Sequence, residues 1–221
     1  MSLLLDEVGI DTISNTSYVY HCFNAMNEIS KSMSLVMEIK DDDDIDDEIH
    51  RIYERNYIIT LVETLCRGNY RVPEMISGEV AKDLFIEGSE FSEKYAEIKR
   101  KLKPRYKSKP KYVYPDFLIH NSHKRQDLTN QYFIIEAKTS HIPQKEYFYL
   151  DLLKLVFYIK CLRYENAAYL IVNNNVSEIL NYVNGYIDEY KLFYDEIIPK
   201  LFFFIQEKID STPKLYMLKN E

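Results

Sequence analysis

The chain has 221 residues, a hydrophobic fraction of 46% and a formal net charge of −7. This composition supports a globular core and predicts one domain over residues 1–221. No apolar run reaches the ~18 residues of a membrane span, and the N-terminus lacks the basic start of a secretory signal, so we expect a cytoplasmic protein without a membrane partner. Cys22, Cys66 and Cys161 lie in apolar stretches without zinc-ligand spacing, which predicts buried, reduced thiols.

Residues 1–45 are expected to form a helical addition to the core. A helix between Ser17 and Ile39 would pack on the core or on a second subunit, so a homodimer remains open. Its apolar residues at helical spacing are Val19, Phe23, Met26, Ile29, Met33 and Val36. The acidic run Asp41–Asp47 that follows is interpreted as a solvated approach to the next helix, whose positive dipole end favours carboxylates.

A second helix is predicted from Asp46 to Arg67, and Gly68 with Asn69 would end it. The apolar positions that predict one amphipathic face of this helix are Ile49, Ile52, Tyr53, Ile59, Val62 and Leu65.

A basic stretch from Lys94 to Lys111 precedes the first strand of interest, interleaved with Tyr95, Tyr106 and Tyr112. Its cations are suited to neutralising a phosphate backbone, although a solvated helix followed by a lysine-rich loop would show the same pattern. Proximity to Asp116 favours DNA contact. The residues proposed for that contact are Lys99, Arg100, Lys101, Lys103, Arg105, Lys107, Lys109 and Lys111.

Two segments, YVYPDFLIH ending at His120 and QYFIIEAKTS ending at Ser140, predict adjacent strands. Alternation along the second strand puts Glu136 and Lys138 on one face, and antiparallel pairing would put Asp116 across from Glu136. These two carboxylates and a backbone carbonyl near Ala137 suit Mg²⁺, with Mn²⁺ as a substitute. Lys138 would lie beside the water shell of that ion.

The remaining pattern predicts a helix over Gln144–Tyr164 and a buried strand in AAYLIVNNN. A tyrosine-rich helix from Ser177 to Tyr194 should follow, and Pro199 lies beyond it. LFFFIQ and KLYML are expected to form a small hairpin around residues 211–213, with a helix as the alternative for LFFFIQ.

The residues Pro115-Asp116 and Glu136-Ala137-Lys138 resemble the motif of the PD-(D/E)xK nuclease superfamily. Two further strings extend the resemblance over residues 46–175: YERNYIITLVETLCRGNYRV is similar to the first helix of archaeal Holliday-junction resolvases, and Asp151-Leu152 with Lys154-Leu155 is similar to a string on a later helix. The resemblance implies an α/β, restriction-endonuclease-like core of helix, three-stranded meander, helix and strand. Residues 1–45 and 176–221 would be N- and C-terminal additions.

The resemblance also implies a magnesium-dependent DNA endonuclease acting in restriction, repair or mobile-element defence. Asp116 and Glu136 would bind the metal, Lys138 would position or activate water, and Glu54 would be an auxiliary acid, with Glu48 and Glu63 as rivals. One alternative is a catalytically silent module that binds DNA or a protein partner. A structural protein without a nucleic-acid partner is a third.

Overall fold

The computed structural model describes residues 3–14, 17–33, 47–67, 75–78, 84–120, 131–191, 195–208 and 211–220. The helices in this part of the chain are α1 (Tyr18–Met33), α2 (Asp47–Arg67), α3 (Glu90–Leu102), α4 (Lys145–Leu162) and α5 (Val176–Tyr190). The strands are β1 (Leu3–Glu7), β2 (Met75–Gly78), β3 (Leu84–Phe85), β4 (Tyr112–Val113), β5 (Phe117–His120), β6 (Gln131–Lys138), β7 (Asn166–Val172), β8 (Leu201–Gln206) and β9 (Lys214–Asn220). Short 3-10 helices cover Ile10–Thr12 and Asp195–Lys200.

The described strands form a mixed seven-stranded sheet in the order β1-β9-β8-β7-β6-β5-β2, and β3 pairs with β4 separately. β6, β7 and β8 run parallel, so α4 and α5 provide the long crossovers that parallel neighbours require. The other pairings of the large sheet are antiparallel. The predicted mixed α/β class is therefore confirmed.

Helices cover both faces of the sheet. Buried residues of α3, α4 and α5 share one hydrophobic cluster with Leu118, Ile134 and Tyr169. Buried residues of α1 and α2 share a second cluster with Phe117, Ile135 and other residues of the opposite face. Near-continuous burial of β6 and β7 is what a sheet covered on both sides requires.

Most predicted elements are present in the described residues. α1, α4 and β7 match their predicted helix or strand, and β8 and β9 form the predicted hairpin. This hairpin is more than a small addition, because β8 continues the main sheet beside β7 and β9 carries β1 at the edge. The end of the first predicted helix beyond residue 33, most of the acidic run and the predicted stop at Gly68 and Asn69 lie outside the described residues.

The predicted apolar face of α2 is wrong at Ile59, whose side chain is 47% exposed. Leu65 is buried as predicted, and the other buried apolar side chains of residues 54–67 are Tyr57, Ile58 and Leu61, which follow one side of the helix at helical spacing. The side chains of the predicted Ile49, Ile52 and Tyr53 lie outside what the structure describes. Ile59 lies about 200° around the helix axis from Leu61 and faces solvent.

The prediction of three buried thiols holds only for Cys22, since Cys66 and Cys161 are exposed. Both exposed thiols lie in the last turn of a helix, where solvent reaches the side chains despite apolar neighbours in sequence. Within the described ranges, none of the helices combines the length and apolarity needed to cross a bilayer.

Candidate active site

Asp116 lies directly opposite Glu136 on neighbouring strands. Phe117 of β5 pairs with Ile135 of β6, and one further step of this antiparallel register brings Asp116 level with Glu136. The Asp116 carboxylate (Oδ2) accepts a hydrogen bond of 2.7 Å from the backbone N–H of Ala137. The register and this bond fix the Asp116 carboxylate beside β6.

Glu136 is a charged group in the interior, with 1% of its surface exposed. One carboxylate oxygen accepts a hydrogen bond of 3.0 Å from the Tyr158 hydroxyl, and the other contacts the Lys154 ammonium. Both donors come from α4, which packs over this face of the sheet. Burying a carboxylate without a partner is costly, and the two donors offset part of that cost.

Lys138 joins α2 to the same cluster. Its ammonium donates to both carboxylate oxygens of Glu54 at 3.1 Å and lies 3.5 Å from Asp151 Oδ2. Glu54 is in the part of α2 that reaches the end of β6, and its side chain is 17% exposed. The lysine head group at the end of β6 thus interacts with α2 through Glu54 and with α4 through Asp151.

Asp151 and Lys154 complete the cluster from α4. Their side chains, separated by three residues on the helix, form an ion pair of 2.9 Å, and the Tyr169 hydroxyl donates to Asp151 Oδ2 at 3.0 Å. Tyr169 on β7 is level with Glu136 on β6. Six ionisable side chains interact electrostatically here, and they are referred to as the charged cluster: Glu54, Asp116, Glu136, Lys138, Asp151 and Lys154.

Burial and mutual repulsion shift three of the four carboxyl groups of the charged cluster toward their neutral forms. Burial raises the pKa of Glu136 well above its ordinary value, against the opposing effect of Lys154 and with added repulsion from Asp116 and Asp151. Burial likewise raises the pKa of Asp116, and it raises the pKa of Glu54 to about 7 despite Lys138. These groups therefore hold protons more tightly than exposed carboxyls do.

Asp151 and the two lysines are shifted the other way. Although burial opposes it, attraction to Lys138 and Lys154 lowers the pKa of Asp151. Burial alone would lower the pKa of Lys138, but Asp151, Glu54 and Asp116 outweigh it and raise that pKa above its ordinary value. Lys138 and Lys154 are consequently ammonium ions at neutral pH.

The structure brings together Asp116, Glu136, Lys138 and Glu54, the four residues proposed from sequence for catalysis. Of the rivals to Glu54, Glu63 is exposed and pairs with Arg67 at 3.2 Å instead, while the Glu48 side chain lies outside what is described. Ala137, proposed to offer a metal ligand through its carbonyl, contributes its N–H to Asp116. In the described ranges, no three or more His, Cys, Asp or Glu side chains converge as a ready-made metal site.

The basic stretch borders the charged cluster through α3. Tyr95 on this helix has its pKa raised to about 12 by burial, with smaller effects from the charges of Lys154, Asp151 and Glu136. Lys99 lies over the Tyr95 ring at 5.6 Å. Lys101 contacts Glu189 and donates to the Tyr190 hydroxyl at 2.8 Å, which ties it to α5. The other cations proposed for DNA contact are exposed: Arg100, Lys103, Arg105, Lys107, Lys109 and Lys111.

Comparisons with protein-family models, with curated proteins and with solved structures found no match.

Sequence reasoning did not assign Asp151, Lys154, Tyr158 or Tyr169 to the site. A usable signal was present, since Asp151 and Lys154 interrupt a helix whose other residues from 148 to 159 are apolar or aromatic and buried. Charges three residues apart on such a helix are expected to pair with each other or with charges on the sheet below. Tyr158 follows Lys154 by one turn and contributes to the same surface.

Proposed function

We propose that this protein is a divalent-metal-dependent deoxyribonuclease of the PD-(D/E)xK superfamily with a restriction-endonuclease-like core. The observation that carries the proposal is the position of Asp116 across from Glu136, with Lys138 and Glu54 at the same end of β6. The order of elements also supports it, since a helix, a three-stranded antiparallel meander, a helix and a strand follow one another as α2, β2-β5-β6, α4 and β7. The elements β3, α3 and β4 are inserted before β5. The site carries the functional assignment, because a fold alone does not specify chemistry.

The charged cluster fits a hard divalent cation by charge and by ligand type. With every group ionised, its four carboxylates and two ammonium groups leave a formal charge of two negative. Asp116 and Glu136 offer the carboxylate oxygens that Mg²⁺ prefers, and Mg²⁺ commonly takes only one or two carboxylates from the protein. Asp116 and Glu136 would hold the ion, which would supply Lewis-acid activation of water and stabilisation of phosphate charge.

Lys138 is suited to an electrostatic and positioning role. Its pKa is raised by Asp151, Glu54 and Asp116, so it stays protonated and is a poor general base near neutral pH. An ammonium held by Glu54 at 3.1 Å can donate a hydrogen bond to the attacking water or to a phosphoryl oxygen. Glu54 acts here as a positioning residue for Lys138.

A catalytically silent, nuclease-like binding module is the second candidate. The observation that favours it is the position of Lys154, whose ammonium contacts Glu136 and Asp151. This lysine already provides those carboxylates with a positive charge, which a metal ion would otherwise supply. In that case the charged cluster would stabilise the fold, and the exposed cations near α3 would carry the binding.

The experiment that separates these candidates is cleavage of supercoiled plasmid, branched DNA and single-stranded DNA with Mg²⁺ or Mn²⁺. The variants are Asp116→Asn, Lys138→Ala and Glu54→Gln, with Glu63→Gln as a matched control on the same helix. We expect Asp116→Asn and Lys138→Ala to reduce cleavage by about 10²-fold or more, and Glu63→Gln to leave it unchanged.

Glu54→Gln should reduce cleavage less than Lys138→Ala, because the amide still accepts one hydrogen bond from the ammonium. Wild-type protein that binds DNA but cleaves none of these substrates with either metal would overturn the nuclease proposal in favour of the binding module. Cleavage that survives Asp116→Asn and Lys138→Ala would show that another site is responsible.

A further inference from the structure

Residues 103–114, called here the basic aromatic segment, connect α3 to the charged cluster and place two tyrosine rings in solvent. Tyr112 is 38% exposed and Tyr114 is 54% exposed, whereas Val113 and Pro115 are buried. The alternation is that of an extended chain, so the two rings lie on its solvent side, separated by about 7 Å along the backbone.

These rings are unusual among the aromatic side chains of the described residues. The exposed large hydrophobic side chains there are Leu4, Ile59, Tyr112 and Tyr114, and only the two tyrosines are neighbours along the chain. A cation–π contact with Lys111, whose Nζ lies 6.0 Å from the ring centroid, explains in part why the Tyr112 ring can be exposed. This contact does not explain the exposure of Tyr114, the more exposed ring.

Exposed cations precede these rings along the segment. Lys103, Arg105 and Lys107 make no ion pair with another described residue. Lys109 pairs with Glu93 at 2.9 Å and Lys111 with Glu87 at 3.7 Å, and all four of these side chains are more than half exposed. Solvent-exposed pairs of this kind contribute little stability, so the lysines can exchange their carboxylate partners for phosphates at small cost.

The position of the segment connects this surface to the proposed chemistry. Tyr114 precedes Asp116 by two residues, so the Cα atoms of the exposed tyrosine and of the proposed metal-binding residue lie within about 7 Å of each other. Aromatic rings interleaved with cations are the arrangement that binds single strands, since an unpaired base exposes a face on which a ring can stack. The bases of an intact duplex stack on each other and leave no such face.

We propose that the basic aromatic segment binds an unpaired DNA strand and leads it to Asp116. Bases stack on Tyr112 and Tyr114, and the phosphates lie against Lys107, Lys109 and Lys111. This inference rests on the proposed nuclease function and narrows its substrate class to single-stranded DNA, including unpaired ends and flaps.

Binding of a fluorescent oligothymidine and of a blunt duplex of equal length, followed by anisotropy in EDTA, tests the proposal without cleavage. The variants are Tyr112→Ala and Tyr114→Ala, the matched variants Tyr112→Phe and Tyr114→Phe, and Ile59→Ala as a control for loss of an exposed apolar side chain. We expect each alanine variant to weaken single-strand binding by about fivefold or more. The phenylalanine variants and Ile59→Ala should retain wild-type affinity, and thermal unfolding checks that every variant is folded.

Alanine variants that bind the single strand as tightly as wild type, or wild type that prefers the duplex, would overturn the inference. Cleavage of the same DNA with Mn²⁺ is measured separately. If the wild type cleaves the DNA and the alanine variants bind and cleave it equally well, the nuclease proposal stands and the binding role of the basic aromatic segment is wrong. Tyrosine-dependent binding of the single strand, with no cleavage of this DNA, of plasmid or of branched DNA, supports single-strand binding by the basic aromatic segment and overturns the nuclease proposal.

Discussion

Replacing Lys154 by methionine removes one of the two ammonium groups that compensate the buried carboxylates. The Lys154 side chain is 12% exposed and contacts Glu136 and Asp151, whose side chains are 1% and 10% exposed. Methionine keeps an unbranched apolar chain of similar reach. After the change, Glu136 retains only the Tyr158 hydroxyl among the donors described above. A buried charge that loses its partner typically costs about 3–5 kcal/mol of unfolding free energy.

The loss should depend on pH in a defined direction. Burial already raises the pKa of Glu136, and removal of Lys154 raises it further, so the variant folds with Glu136 protonated. At pH 8 folding then requires proton uptake, whereas at pH 5 this cost is much smaller. Urea denaturation in EDTA at both pH values should therefore show a larger loss at pH 8.

Lys160→Met on the same helix is the matched control. Lys160 pairs with Glu196 at the surface, where both side chains are more than a third exposed, so removing its charge should cost much less stability than removing that of Lys154. The double variant Lys154→Met/Glu136→Gln should recover about 0.5–3 kcal/mol relative to additivity. A Lys154→Met loss equal to that of Lys160→Met, and the same at both pH values, would refute the reasoning.

Three further predictions concern the proton balance and the packing near the site. Burial raises the pKa of Glu54 from 4.5 to about 7, so between these pH values the folded state binds more protons than the unfolded state does. The unfolding free energy in EDTA should then fall by up to about 3 kcal/mol from pH 5 to pH 7, and a rise in wild type would contradict this. Gly185→Ala places Cβ 2.5 Å from the Tyr149 hydroxyl and should lower the free energy of unfolding by about 1–3 kcal/mol, whereas a gain from helix propensity would contradict this. Asn174→Ala leaves the Ile142 N–H without its acceptor at 2.8 Å and should cost about 1–3 kcal/mol in urea denaturation, and an unchanged midpoint would contradict this.

The strand residues of the site were predictable because side chains alternate strictly between the two faces of a strand. The pattern of β6 fixes Glu136 and Lys138 on one face, and the register with β5 must bury Phe117 and Ile135 together. Within the described residues the structure has the register that the sequence predicted. Glu54 could be named only through the resemblance, since the pattern of α2 does not indicate which side reaches β6.

The parts that were missed depend on contacts between residues distant in sequence. β1 pairs with β9 so that Leu3 is opposite Asn220, and no local pattern in a five-residue segment indicates such a partner. Asp151 and Lys154 were given no role of their own, because charges on a helix are ordinarily a sign of solvent exposure. Their burial becomes explicable only when α4 lies over Glu136 and Lys138.

The charged cluster places stability and the proposed chemistry in opposition. Protonation of Glu54, Asp116 or Glu136 relieves repulsion among buried carboxylates. Acid pH therefore stabilises the folded state of the metal-free protein. Binding a cation requires ionised carboxylates, so the proposed reaction is favoured at higher pH, where that relief is lost. Lys138 and Lys154 keep their charges across this range and limit the repulsion. The protein should accordingly be most stable below the pH at which its proposed activity is greatest.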